Sequence, residues 1–291
     1  MKKNSRIMDF FISLKLNSIA WSFRRLYVPV DKNALVLEVG SGGNPFFRSN
    51  VLMDAYLETS ERHFEKLVSD RPTILGYVEN MPFKDNAFDF VIACHVLEHS
   101  ADPEKFISEI QRVAKAGYIE VPDALFERLT CYPDHRLEIT DINNKLIIRK
   151  KKGPMEDPEV NKLFLNKFRK IFHKATSIDP FLFHVRLYWD KSVNPINYEI
   201  INSKYQFDWD VKNSEFKEYK LTGMANLKRI ILNLFNRTLS QTSRNKKIDI
   251  HNLLMCPNCK DSNLIKNVDG IECIACGVKY PLIDNDIIKF I

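Results

Sequence analysis

The chain has 291 residues, 45% hydrophobic and 27% charged, the balance of an ordinary soluble globular protein with room for a catalytic domain and a small appendage. A formal charge of +6 permits acidic substrates or RNA without demanding either. Six cysteines, with no apolar leader or small-residue cleavage site, argue against a secreted disulfide scaffold and give a cytoplasmic expectation.

Residues 1–30 are expected to form a helical segment. Ile7 to Leu26 is apolar-rich, but Lys15, Asn17, Ser18 and Arg24 interrupt it, so it is too broken to span a membrane. It reads as an amphipathic helix covering the pocket of the next domain, with a peripheral membrane contact as the alternative.

The segment Leu35-Val-Leu-Glu-Val-Gly-Ser-Gly-Gly-Asn-Pro45 is an apolar strand running into a glycine turn. Gly40, Gly42 and Gly43 allow a sharp turn and close approach of backbone to a ligand. Such a turn places the ligand at the carboxyl end of a parallel sheet. A dinucleotide fingerprint would need glycine where Pro45 stands, and there is no P-loop. Val51-Leu-Met-Asp54 is a second short strand, whose terminal carboxylate suits the two hydroxyls of a ribose. Asn44 and Pro45 are expected to start a helix of a turn or two between them.

Met81-Pro-Phe-Lys-Asp-Asn-Ala-Phe-Asp-Phe-Val leads into a fourth strand and then Leu97-Glu-His99. Asp102-Pro103 should cap a helix with Phe106, Ile107, Ile110, Val113 and Ala114 on one face. Gly117 should end it, with Tyr118-Ile-Glu-Val121 as a fifth strand. Together with the acidic Glu38 before Gly-Ser-Gly-Gly, residues 34–123 resemble the UbiE-type branch of the class I S-adenosylmethionine (SAM) methyltransferases.

The resemblance implies SAM as cofactor. It puts Gly40, Ser41 and Gly42 against the methionine part with Glu38 nearby, Asp54 on the ribose, and Glu79, Asn80 and Met81 along the adenine. Tyr77 stands where the family carries an aspartate for the adenine amino group. Residues following the fourth and fifth strands face the transferred methyl in this fold. Here they are Cys94, His95 and His99, then Asp123, Tyr132 and His135, with Cys94 also placed at the cofactor. His95 and His135 are the candidates for a catalytic base, since imidazole titrates near neutral pH. The plainer readings put His99 in a structural motif and His135 at a loop cap. Ala93-Cys-His-Val96 is not the N/D-P-P-Y/F used for amide or adenine amino groups, which leaves hydroxyl or carboxylate acceptors.

Residues 124–202 should hold the acceptor region. Lys145–Lys150 and Phe183–Trp189 look like strands, and Pro158–Lys174 like a helix. Met224–Phe235 looks like another helix, and Ser240–Lys247 like a linker. The run Arg149-Lys-Lys-Lys152 reads as a solvated strand end.

Cys256-Pro-Asn-Cys259 and Cys273-Ile-Ala-Cys276 are two C-x-x-C pairs whose four thiolates suit a closed, structural zinc site. Lys260 and Gly277 follow each pair, where the knuckle backbone is expected to turn and donate to sulfur. The segment from Leu253, with its Tyr280-Pro-Leu-Ile-Asp284, resembles the zinc-ribbon activator subunit of tRNA, rRNA and release-factor methyltransferases, with Asn285 in place of a glycine. That resemblance implies docking by strand addition to the sheet edge, so the chain is expected to carry its activator in cis.

The expected fold class is α/β, a Rossmann-like seven-stranded methyltransferase sheet flanked by helices, plus a small C-terminal zinc ribbon. The methyltransferase domain should span 31–239, a linker 240–248 and the ribbon 249–291. The first functional reading is methyl transfer to a small molecule or glycan. A tRNA or protein acceptor is the second, and a non-catalytic scaffold the third.

Overall fold

The computed structural model describes residues 2–59, 66–155, 157–210, 238–283 and 287–291. The expected helix at 224–235 and Asn285 lie outside the described residues. The chain divides into two compact units. The first holds Met1–Pro29, Ala93–Pro103 and Gly117–Asn213; the second holds Val30–Ile92, Glu104–Ala116 and Ser214–Ile291.

The expected N-terminal helix is two helices, α1 (Arg6–Ser13) and α2 (Asn17–Phe23). The break falls at Lys15, whose φ of 60° lies outside the helical region. The side chain of Ser5 caps α1 by accepting from Met8 N–H. Among the described residues no helix is long and apolar enough to cross a membrane.

In the second unit, β1 (Val36–Val39), β2 (Val51–Asp54) and β3 (Thr73–Leu75) are short and fully buried, as expected for a sheet covered on both faces. They run parallel, with Glu38 opposite Leu52 and Asp54 opposite Leu75. The expected short helix between β1 and β2 does not form; the segment is a series of turns. Glu38 reaches out of β1 to accept from Phe46 N–H at 2.8 Å and from the Ser49 hydroxyl, so a buried carboxylate takes the amide that a helix start would have left to a cap.

Strand β4 (Phe88–Cys94), helix α3 (Pro103–Val113) and strand β5 (Ala114–Pro122) follow. The helix ends four residues before Gly117, which lies inside β5 and is not a cap. A Cβ there would sit 2.7 Å from the Trp189 indole. The glycine is therefore a packing requirement of the strand, since no side chain fits beneath that ring.

The expected acceptor region, in the first unit, comprises α4 (Ala124–Thr130), β6 (Leu137–Ile142), β7 (Lys145–Lys150), α5 (Pro158–Leu163), α6 (Arg169–Ile178), β8 (His184–Asp190) and β9 (Tyr198–Ile200). A π-helical stretch, Phe164–Phe168, interrupts the expected helix between α5 and α6. Strands β6, β7 and β9 form a three-stranded sheet of their own, with β8 hydrogen-bonded to β5. Asn143 and Asn144, both at positive φ, make the tight turn between β6 and β7.

Residues of the expected linker form a helical turn, α7 (Thr242–Asn245), held in the second unit. Asn245 Oδ1 accepts from Asn50 Nδ2 at 2.8 Å, and Arg244 donates to the carbonyls of Lys32, Asn33 and Ala34. The C-terminal strands are β10 (Leu264–Asn267), β11 (Gly270–Cys273), β12 (Lys279–Ile283) and β13 (Ile287–Lys289). The strand order in this unit is β10-β11-β12-β13-β3-β2-β1-β4. The C-terminal strands therefore join the sheet of β1–β4: β13 lies parallel to β3, with Ile288 opposite Ile74.

Candidate functional site

The turn after β1 is the expected donor site. Gly40 and Gly42 both take positive φ, 61° and 57°, where glycine carries no Cβ penalty. Gly42 N–H donates to Asp54 Oδ2 at 2.9 Å, and Asp54 Oδ1 accepts from Tyr56 N–H at 3.1 Å. Two backbone amides thus fix the carboxylate at the mouth of the glycine turn. Ser41 Oγ is buried with no hydrogen-bond partner among the described residues. Buried hydroxyls are ordinarily paired, so this one points to an absent partner and fits a bound nucleoside donor.

The stretch expected along the adenine is braced by α3. Met81 is fully buried, its N–H donating to Glu109 Oε2 at 2.7 Å and its carbonyl accepting from Arg112 Nη2 at 3.0 Å. Arg112 also reaches the Phe83 carbonyl and Asp85. Val78–Asn80, which contains Glu79, is a single 3-10 turn. Tyr77, the departure from the family pattern, is exposed and meets Tyr56 edge-on at 6.4 Å between ring centroids.

The four ribbon cysteines come together as expected, with their sulfurs within 4.8 Å of one another. Cys256 and Cys276 Sγ lie 3.6 Å apart, and Cys259 and Cys273 Sγ 3.5 Å. A tetrahedron of thiolates around zinc has S···S edges of about 3.8 Å, so the set fits the metal. Lys260 and Gly277 turn at positive φ, 59° and 72°. Their N–H groups go to the carbonyls of Cys256 and Cys273, both at 2.8 Å, rather than to sulfur as expected, because each knuckle closes as a one-turn backbone loop. Gly270 has no room for a side chain: a Cβ would lie 2.1 Å from the Tyr280 carbonyl oxygen.

The first unit gathers the remaining candidates into a buried polar network. His95 follows β4 at φ 57°, a strained setting for a residue with a Cβ. Its Nδ1 lies 3.4 Å from Glu98 and its Nε2 3.4 Å from Glu120. Burial would lower its pKa, but the bonds to Glu120 and Glu98 outweigh that and push it up to about 9. Glu120 is fully buried in β5 and held by a forked contact from Arg24, whose Nε and Nη2 lie 2.9–3.1 Å from its oxygens. Burial favours its neutral form, yet the hydrogen bond from His95 and the charge of Arg24 keep it well below the usual carboxylate range. The Tyr118 hydroxyl also donates to Glu120. Cys94 Sγ donates to Glu120 Oε1 at 3.2 Å, and burial together with that negative neighbour pushes the thiol well up, so it stays protonated.

His135 is buried, with Nδ1 2.6 Å from Glu127 Oε2, and Glu127 Oε1 accepts from the buried Lys151 at 2.8 Å. Burial lowers the His135 pKa, but Glu127 outweighs it and the net shift is upward. The His99 ring meets His135 edge-on at 4.7 Å. Asp123 caps α4 through Leu125 N–H and accepts from Thr140, and the Tyr132 ring stacks on His135 at 4.8 Å. Of the expected acceptor residues, His99, Tyr132 and His135 therefore share one cluster, while His95 and Cys94 share the carboxylate Glu120.

Sequence reasoning named the histidines but not Arg24, Glu98, Glu120, Glu127 or Lys151. One signal was available: Glu120 interrupts the apolar run Tyr118-Ile-Glu-Val121, where an acid is costly unless paired.

A family model described as a methyltransferase domain matches residues 37–119. Ajmaline N-methyltransferase of Rauvolfia serpentina is 49% identical over 43 residues, 15% of each chain. An uncharacterized protein of Methanocaldococcus jannaschii is 34% identical over 87 residues, 29% of this chain and 37% of its own. The chain thus spans well under half the length of these curated relatives. Among solved structures, a SAM-dependent methyltransferase of Thermotoga maritima, titled a possible histamine N-methyltransferase, aligns at 19% identity and a TM-score of 0.29, covering 40% of this chain and 56% of that one. A chain from the complex of the Haloferax volcanii Trm112 methyltransferase activator with a methyltransferase aligns at 16% identity and a TM-score of 0.28, covering 46% and 77%. Residues 37–119, from β1 into β5, match the methyltransferase domain model.

Proposed function

We propose that this chain transfers a methyl group from SAM to a hydroxyl or carboxylate oxygen of a small molecule or glycan. We further propose that its C-terminal ribbon serves as a built-in stabiliser of the donor site. The observation that carries the reading is the glycine turn, where Gly42 N–H fixes the Asp54 carboxylate and Ser41 Oγ lacks a partner.

When bound, SAM supplies a methyl carbon already activated by its sulfonium. The chain's own task is alignment of the two reactants. Asp54, held by two amides, accepts from the ribose hydroxyls. Gly40 and Gly42 let the backbone come close to the methionine part, and the Ser41 hydroxyl completes its bonding there. Val78–Met81 lies along the adenine, braced by Glu109 and Arg112. His95 is assigned to the acceptor side in this reading; its side chain is 41% exposed, and its two nitrogens lie 3.4 Å from Glu98 and Glu120. The UbiE-type resemblance of Met81-Pro-Phe83 through Asp89 supports the same assignment of the donor stretch.

The test is calorimetric titration of zinc-replete full chain with S-adenosylhomocysteine, beside Asp54→Ala. Micromolar binding lost in the variant supports the donor site and justifies acceptor screening, hydroxylated glycans before RNA. Methyl transfer to RNA, with binding that weakens steeply with salt, would replace the small-molecule reading. Folded protein that does not bind would leave a non-catalytic scaffold.

A further inference from the structure

Glu98 is an anomaly in the first unit. It lies in the 3-10 turn Leu97–His99 directly after β4, with its side chain 2% exposed. Neither carboxylate oxygen has a hydrogen-bond partner among the described residues. His95 Nδ1, at 3.4 Å, is an ion-pair neighbour beyond the usual hydrogen-bond distance. A buried carboxylate whose two oxygens lack hydrogen-bond partners is costly in a protein interior, and a bound cation would satisfy it.

Two imidazoles converge on it. One nitrogen each from His99 and His135 and one oxygen of Glu98 all lie within 4.8 Å of one another. Nδ1 of each ring has a protein partner. His135 Nδ1 lies 2.6 Å from Glu127, itself fixed by Lys151, and His99 Nδ1 lies 3.2 Å from the Asp134 carbonyl. In the neutral rings both Nδ1 atoms donate, which gives Nε2 the lone pair. Metal-binding histidines are oriented in this way, by a carboxylate or a backbone carbonyl on the second nitrogen. The backbone is fixed as well, since Arg136 N–H donates to the Glu98 carbonyl at 2.7 Å just before β6 begins.

We propose that Glu98, His99 and His135 bind a divalent first-row transition metal of the zinc class, at a site distinct from the four thiolates of the ribbon. Two imidazoles and one carboxylate disfavour calcium and magnesium, which take oxygen ligands, and leave coordination positions open for water or a ligand oxygen. The neighbouring trio Cys94, His95 and Glu120 is a weaker candidate, because Arg24 and Tyr118 already occupy its carboxylate. The proposal does not depend on the methyl-transfer reading.

The test uses untagged full chain loaded with cobalt(II) and freed of excess metal by gel filtration. Two equivalents per chain are expected. One shows the near-ultraviolet charge-transfer bands of thiolate ligation, and the other only the d–d absorption of nitrogen and oxygen ligands. Glu98→Gln and His99→Ala should each keep the thiolate equivalent and lose the other. Glu127→Gln, which acts through His135, should weaken the second equivalent about 10- to 100-fold. Persistence of the thiolate bands and near-ultraviolet dichroism shows that each variant is folded. A single thiolate equivalent in the unmodified chain, or a second equivalent that survives both Glu98→Gln and His99→Ala, would overturn the site.

Discussion

Lys260, at the turn of the first cysteine knuckle, places its Nζ 2.6 Å from Oδ1 of Asn80, in the stretch expected along the adenine. Nearby, Lys84 N–H donates to the Leu253 carbonyl at 2.9 Å and Met255 N–H to the Pro82 carbonyl at 3.0 Å. The first cysteine knuckle and the stretch expected along the adenine are therefore bonded on both sides of Met81-Pro-Phe83.

That contact predicts a coupling between zinc and cofactor. Cys259→Ser removes one of the four expected metal ligands; with zinc binding supplying folding free energy to the C-terminal segment, the knuckle should loosen. S-adenosylhomocysteine affinity should then fall by about 5- to 100-fold, the range of ordinary site-to-site coupling. Lys260→Met should give a smaller loss with zinc content unchanged. Calorimetry and metal analysis on the same samples decide it. Unchanged affinity in a zinc-free Cys259→Ser chain would separate the ribbon from the donor site.

The edge pairing can be tested by itself. Phe290 N–H donates to the Leu75 carbonyl at 2.8 Å, continuing the β13–β3 ladder. Phe290→Pro removes that donor, and Phe290→Leu keeps it while trimming the ring that packs on Tyr280 at 4.6 Å. The proline variant should show faster hydrogen exchange along residues 73–75 and 287–289 than the leucine variant. Equal exchange in both would mean that the pairing adds nothing to the sheet edge.

Gly117→Ala should be strongly destabilising although it adds only a methyl group. The new Cβ would lie 2.7 Å from the Trp189 indole, which is itself 1% exposed and has little space to retreat. Overpacking of this kind costs about 1–3 kcal/mol. Thermal unfolding should reveal it. Trp189→Phe opens that side of the contact, and Gly117→Ala in that background should cost less. An equal cost in both backgrounds would relocate the requirement to the backbone.

Residue 117 also shows where sequence reading stops. A glycine shortly after an amphipathic helix reads locally as its cap, whereas the side chain that demands it lies 72 positions away. The same nonlocality hid the network around Glu120, since Arg24 is 96 residues distant, and the joining of His99 to His135 across 36. What was legible rested on local pattern. The apolar runs gave β1, β2 and β7 to within a residue, and the paired C-x-x-C spacing gave the cysteine cluster. The loop after β1 misled for a physical reason: Asn44-Pro45 is a good helix start, but Glu38 competes for the Phe46 amide and wins because it is already buried beside it.

The Arg24–Glu120 pair makes a stability prediction with a definite sign. The Arg24 and Glu120 side chains are 12% and 0% exposed, so removing the cation strands a buried anion. Breaking such a pair costs about 3–5 kcal/mol, and Arg24→Met should lower the melting temperature accordingly at neutral pH. Because the folded pKa of Glu120 lies below its ordinary value of 4.5, its stabilisation is fully present above that pH and is lost as pH falls through the folded value. Glu120→Gln carries no titrating group there, and the difference in melting temperature between it and the unmodified chain should shrink on acidification from pH 7 to pH 3. Arg24→Met weakens the depression of the carboxylate, so its own acid loss should start at a higher pH. A constant difference across the range would mean that Glu120 is not held ionised in the folded protein, and the network around His95 would have to be rewritten.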